Sequence, residues 1–136
     1  MPDGQRVRVA TILVTAAVIE RDGLVLVTRR QQGVHLEGYW EFPGGKCHAG
    51  ESLEHCLARE LREELDVDAR VGMEVFTTAH TYDDRLIELH FFACDLIGEP
   101  RPLLGQEMRW VARRELASLQ FPPADAELIA TLTRQV

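Results

Sequence analysis

Basic charge is scarce in this chain of 136 residues: Lys and Arg number 15 against 22 Asp and Glu, a net charge of −7. Sequence-independent binding to a nucleic acid backbone wants a basic stripe, so a nucleic acid polymer is not the expected partner. Cysteine is scarce too. Cys47, Cys56 and Cys94 are odd in number and contain no CxxC pair, which argues against a disulfide framework and for reduced thiols in the cytoplasm. Long hydrophobic runs are missing: the longest, Val9 to Ile19, includes two threonines and is too short to span a bilayer. No charged segment and small-residue cleavage site frame it as a signal peptide, so no membrane association is expected. Internal repeats and low-complexity tracts are also absent. What is present is an ordinary globular composition, 46% hydrophobic and 27% charged, in a length that suits one domain over residues 1–136. The sequence leaves monomer and homodimer equally open.

Val7 to Glu20 is β-branched and apolar and reads as a long buried strand. Arg21-Asp22-Gly23 is a hairpin signal that returns the chain through Leu24 to Thr28. Gln31 to Gly38 reads as a polar loop, and Trp40-Glu41-Phe42 as a short extended piece before Pro43-Gly44-Gly45. Glu51 to Leu65 has helical period: Leu53, Leu57, Leu61 and Leu65 share a face, and Ser52 is placed to cap it. Strand-like segments follow at Val67–Val75, Glu74–Thr81, Leu86–Ile97 and Met108–Val111. Arg113 to Leu119 reads as a helical turn or two, and Pro122-Pro123 as the start of a last helix to about Arg134. Many strands with two or three interleaved helices make an α/β or α+β domain.

Glu60, Glu63 and Glu64 fall within about 100° of arc on the first helix. Like charges at such spacing destabilise a helix by about 0.2–0.5 kcal/mol per pair, and Arg59 and Arg62 lie off the arc. Either the three are a solvated face, or a cation relieves the conflict. Mg²⁺ suits the second reading, since it takes oxygen ligands, keeps waters and bridges to phosphates. The Pro43-Gly44-Gly45 turn fits beside it, because glycine backbone can approach a metal or phosphate closely. Lys46 follows as a point charge for a phosphate.

Gly45, five residues, Glu51, seven residues, Arg59-Glu60-Leu61, one residue, Glu63-Glu64, one residue, Asp66-Val67 closely resembles the Nudix box. The family pattern carries glycine where this chain has Asp66, a change that touches only the helix C-cap. Thr28-Arg29-Arg30, His35, Trp40 through Lys46, and Phe121-Pro122-Pro123-Ala124-Asp125 resemble the MutT branch. That resemblance implies an α/β/α sandwich around a mixed β-sheet. It implies Mg²⁺, with Mn²⁺ as a substitute, held by Glu60, Glu63, Glu64 and the Gly44 carbonyl. Glu60 is also a candidate for the base that takes the proton of the attacking water. Arg59 is expected to pair with a ligand carboxylate, and Glu51 to cap or orient the loop. MutT-like members often add a loop glutamate; the matching position here is Leu104, with Glu107 as the nearby substitute.

The implied reaction is hydrolysis of a small-molecule nucleotide, a damaged or cytidine-type nucleoside triphosphate, to monophosphate and pyrophosphate. Arg30, His35, Tyr39, Arg85, Leu89 and Phe91 match positions that line the nucleotide site in the branch. Asp125 matches a position that is asparagine in readers of 8-oxoguanine; aspartate resembles the CTP-type members. When ionised it accepts from an exocyclic amino group, and when protonated it also donates. The competing reading makes Asp125 a plain helix cap. His48, His55, His80 and His90 lack ligand spacing with a cysteine, which speaks against zinc. Two rival functions remain: hydrolysis of another diphosphate derivative (ADP-ribose, a dinucleoside polyphosphate, dihydroneopterin triphosphate), and a non-catalytic nucleotide-recognition module.

Overall fold

The structure, a computed structural model, describes residues 10–134, apart from the side chain of Tyr82. Residues 7–9, expected to begin the first strand, lie outside the described residues. In chain order the strands are β1 (Ala10–Arg21), β2 (Leu24–Arg29), β3 (Trp40–Glu41), β4 (Gly44–Lys46), β5 (Asp68–Tyr82), β6 (Arg85–Ile97) and β7 (Met108–Ala112). The helices are α1 (Leu53–Leu65) and α2 (Ala126–Arg134).

β1 is the shared spine. Its first ten residues run parallel to β6, from Ala10 opposite Arg85 to Ile19 opposite Cys94. Its last two pair antiparallel with β2, whose partners are β3 and β7. Asp22 and Gly23 both have positive φ, 53° and 77°, as a tight two-residue hairpin requires. β4 lies antiparallel to the middle of β1, and β5 closes the sheet on β6. One parallel pair among antiparallel ones makes the sheet mixed.

Two cores explain why β1 reads as an unbroken apolar run rather than an alternating one. Ala16, Val18, Val25, Val27, Phe91 and Val111 pack on one face against Leu128, Ile129 and Leu132 of α2. Ala17, Ile19, Leu26, Phe92 and Cys94 pack on the other against Leu57, Leu61 and Leu65 of α1. Successive residues of a strand point to opposite faces, and here both faces are covered. The sandwich layers are therefore α1, the sheet, and α2 with its preceding 3₁₀ turns.

Several local expectations change. Val67–Val75 and Glu74–Thr81 are one strand, β5, with register shifts around Glu74 that bend it along β6. The glycine turn ends as a short strand, β4, because Gly44 approaches the Thr15 backbone so closely that a Cβ would lie 2.0 Å from the Thr15 carbonyl oxygen. The proline pair opens a 3₁₀ turn, Pro123–Asp125, and α2 begins only at Ala126. The thiols are not all free: Cys47 and Cys56 form a disulfide, and Cys94 alone is a buried free thiol. Spacing rules for short cysteine motifs miss this pair because the chain folds the loop back onto α1.

Candidate active site

The two glycines set the site. β4 hangs Gly44 and Gly45 on the edge of β1, and α1 crosses just behind them. A Cβ on Gly45 would sit 2.4 Å from the Glu60 carboxylate, so a side chain there would displace that carboxylate from its present position. α1 starts cleanly, with the Ser52 hydroxyl accepting from the His55 N–H at 3.1 Å. It ends on Asp66, which takes the left-handed conformation (φ 51°) and donates its N–H to the Arg62 carbonyl at 3.1 Å. Aspartate thus fills the role of the family's glycine, and its side chain is held by Arg101.

Arg59 organises the carboxylates. Its Nε and Nη2 donate to both oxygens of Glu51 at 2.7 and 2.9 Å. Its Nη1 reaches Glu60 at 3.0 Å and Glu63 at 3.0 Å, and Nη2 also donates to the Lys46 carbonyl at 3.1 Å. One guanidinium thereby ties loop to helix, with the fork geometry that lysine lacks. Arg59 and the His48 N–H hold the Glu51 carboxyl down at about 2. Glu51 in turn pushes Arg59 up.

Beside this knot lies a cleft of about 530 Å³ lined in part by Gly44, Gly45, Lys46, Glu60, Glu64, Arg30, Glu41, Leu89, Phe91 and Asp125. Glu60 and Glu64 face it. Glu63 does not line it; its side chain is 56% exposed and turned to Arg59. Burial raises the Glu64 carboxyl to about 8, helped by the charges of Glu60 and Glu41 and opposed by the Gly44 N–H. Burial and then the charge of Glu41 raise Asp125 to about 7. Asp125 is buried at the end of the 3₁₀ turn that precedes α2, and it lines the cleft there.

Glu41 is the member that sequence reasoning missed. β3 presents it to the cleft, where it accepts from Arg30 Nη1 at 2.9 Å, and burial raises its carboxyl. The signal available in the sequence was alternation: Trp40 points into the core, so its neighbour points the other way. Gln106 was missed as well. It is buried, and its Nε2 donates to the Glu64 carbonyl at 3.2 Å, while the Leu103 N–H donates to the same oxygen at 3.0 Å. The 101–106 loop thus satisfies the otherwise orphaned carbonyls at the end of α1.

Other expected residues are placed elsewhere. His35 is exposed and outside the cleft lining; its carbonyl accepts from Arg30, and Leu36 takes the place at the wall. Arg85 begins β6 at the hairpin from β5 and is exposed, also outside the lining. Phe91 is 1% exposed and packs edge-on to Phe42, so it is cleft floor and core at once. Leu104 lies in a small hollow beside Glu64, but Glu107 does not replace a loop glutamate there: its carboxylate pairs with Arg109 at 2.8 Å and Arg29 at 3.4 Å.

A family model for the Nudix domain matches residues 14–131. The chain belongs to the Nudix family. A CTP pyrophosphohydrolase of Escherichia coli is 38% identical to it over 87% of this chain and 88% of the relative. An 8-oxo-dGTP diphosphatase of Haemophilus influenzae is 38% identical over 91% and 93%. Among solved structures, the E. coli ORF135 protein superimposes with a TM-score of 0.84 at 35% identity, covering 98% of this chain and 94% of that one. The Nudix sandwich expected from the sequence is therefore the observed fold. No helix among the described residues is long and apolar enough to cross a membrane.

Proposed function

We propose that this Nudix protein is a divalent-metal-dependent nucleoside triphosphate pyrophosphohydrolase of the MutT type, with Mg²⁺ or Mn²⁺ as the metal. The observation that carries this reading is the convergence of Glu60, Glu64, Glu41 and Asp125 on one cleft whose positive side chains are Lys46 and Arg30. Burial and mutual repulsion hold Glu64 at about 8, so the cleft resists carrying its full negative charge unaided. That donor set fits a hard cation: carboxylate oxygens and a glycine carbonyl, with no sulfur or imidazole among the described residues of the lining. Glu60, Glu64 and the Gly44 carbonyl would hold the metal, with Glu63 at its outer side. A bound divalent cation supplies charge stabilisation for the departing phosphate oxygen and acidifies water.

The protein's own groups do the rest. Lys46 and Arg30 attract the phosphates, and Glu60 takes the proton of the water that attacks phosphorus as the bridging P–O bond breaks and pyrophosphate leaves. Arg59 fixes the Glu60 carboxylate in place. Asp125 stands at the base end. Ionised, it accepts from the amino group of cytosine; protonated, it donates to a carbonyl such as that of an 8-oxopurine. A group that titrates near 7 serves both, in keeping with relatives named for CTP and for 8-oxo-dGTP.

The test is pyrophosphate release from CTP, 8-oxo-dGTP and 5-substituted dCTP, with ADP-ribose alongside. Glu60→Gln and Glu64→Gln should each lose at least about 100-fold in kcat with folding retained. Full metal-dependent turnover in both variants would refute the catalytic assignment. Nucleotide binding without hydrolysis in Mg²⁺ and Mn²⁺ would favour a recognition module instead.

A further inference from the structure

The cysteine pair lies at the joint between the two halves of the Nudix box. Cys47 follows β4 directly, and its N–H donates to the Leu13 carbonyl at 2.8 Å, which fixes the loop to β1. Cys56 sits in the second turn of α1, fully buried, with its sulfur 3.2 Å from the Thr15 hydroxyl. The two Cα atoms are 5.2 Å apart, inside the range a disulfide spans. The ring that the bond closes contains Glu51 and Ser52, and Arg59 and Glu60 follow within one turn of Cys56. Cys47 is half-exposed whereas Cys56 is shielded, so exchange partners reach the pair only through Cys47.

We propose that Cys47 and Cys56 form a redox-responsive clasp that locks the glycine loop to the carboxylate helix, closed by a small-molecule disulfide and reopened by thiols. Closure runs in two exchanges. Cys47, as its thiolate, attacks a small disulfide RSSR, forming Cys47–S–S–R and releasing RS⁻. Cys56 then gives up its proton and attacks the Cys47 sulfur, forming the Cys47–Cys56 bond and releasing the second RS⁻. The two cysteines lose two electrons and two protons, and RSSR becomes two RSH. A single disulfide with one reachable sulfur is of the switchable kind found in reducing compartments. With the disulfide closed, Arg59 also ties Glu51 to the helix, so the clasp and the ion pair hold the same loop. The inference is independent of which nucleotide is the substrate.

The experiment compares the 136-residue chain after oxidised glutathione and after dithiothreitol. Peptide mapping without reduction should find Cys47 joined to Cys56 at a loss of about 2 Da, and Tm should be about 5–10 °C higher in the oxidised form. Cys47→Ser should abolish both the cross-link and the Tm response, while Cys94→Ser should leave both. Absence of the cross-link after oxidation, a glutathione adduct stable on Cys47, or an unchanged Tm in cross-linked wild type would each overturn the proposal. Protection of both thiols from alkylation by added Zn²⁺ under reducing conditions, with no disulfide formed by glutathione, would overturn it in favour of a metal site with Glu51, whose carboxylate lies with both sulfurs within 4.8 Å.

Discussion

Asp125→Asn should change how stability depends on pH. Asp125 ionises at 3.8 in an exposed chain and at about 7 in the folded cleft, because burial and the charge of Glu41 disfavour its anion. Between those values the folded state holds a proton that the unfolded state has released. Stability therefore falls as pH rises from about 4 to about 7, and the loss is complete above the folded value. The interval of about 3 pH units at 1.36 kcal/mol each amounts to about 4 kcal/mol. Water at the cleft mouth screens part of that, so about 2–4 kcal/mol is expected. Asparagine keeps the shape and cannot ionise. The difference between variant and wild type should be near zero at pH 4 and reach about 2–4 kcal/mol in favour of the variant at pH 8. Urea titrations at pH 4, 5, 6, 7 and 8 with a chelator present measure it, and Glu64 largely cancels because both proteins carry it. Parallel stability profiles for the two proteins would refute the burial argument and remove Asp125 from the cleft wall.

Three further outcomes follow from the same geometry. Raising pH from 6 to 8 should shift kcat/KM in wild type toward cytosine triphosphates and away from 8-oxo-dGTP, as Asp125 turns from donor to acceptor; Asp125→Asn should flatten that shift. Gly45→Ala places a methyl against the Glu60 carboxylate, so turnover should fall at least about 10-fold while circular dichroism stays native; unchanged turnover would mean the carboxylate moves freely. Arg59→Lys keeps the charge but loses the bidentate hold on Glu51, and kcat should drop about 10- to 100-fold, with metal titration showing weaker binding.

Much of the site was legible because its chemistry is local. The leucine period put Glu60 and Glu64 on one helix, the Asp22-Gly23 pair named its turn, and Asp66 could cap α1 because aspartate tolerates the left-handed region. Glu63 shows where periodicity stops: it shares the helical arc with Glu60 and Glu64, yet Arg59 draws it outward and away from the cleft. His35 and Arg85 show the same limit in loops and hairpin ends, whose side chains no repeat orients. Glu107 is near Leu104 in sequence, but strand pairing of β7 with β2 turns it to Arg29 and Arg109.

By itself the sequence determined the family, the buried strands, the carboxylate helix and the two glycines it needs, because each is written within one or two turns of chain. Tertiary structure alone decided which charges meet. Glu41 comes to Glu64 and Asp125 only through the pairing of β3 with β2, and its charge adds to the burial that raises both carboxyls. Cys47 and Cys56 meet only because β4 pins one to β1 while α1 buries the other. Coulomb and desolvation energies depend on distances through space, and those are set by packing rather than by position along the chain.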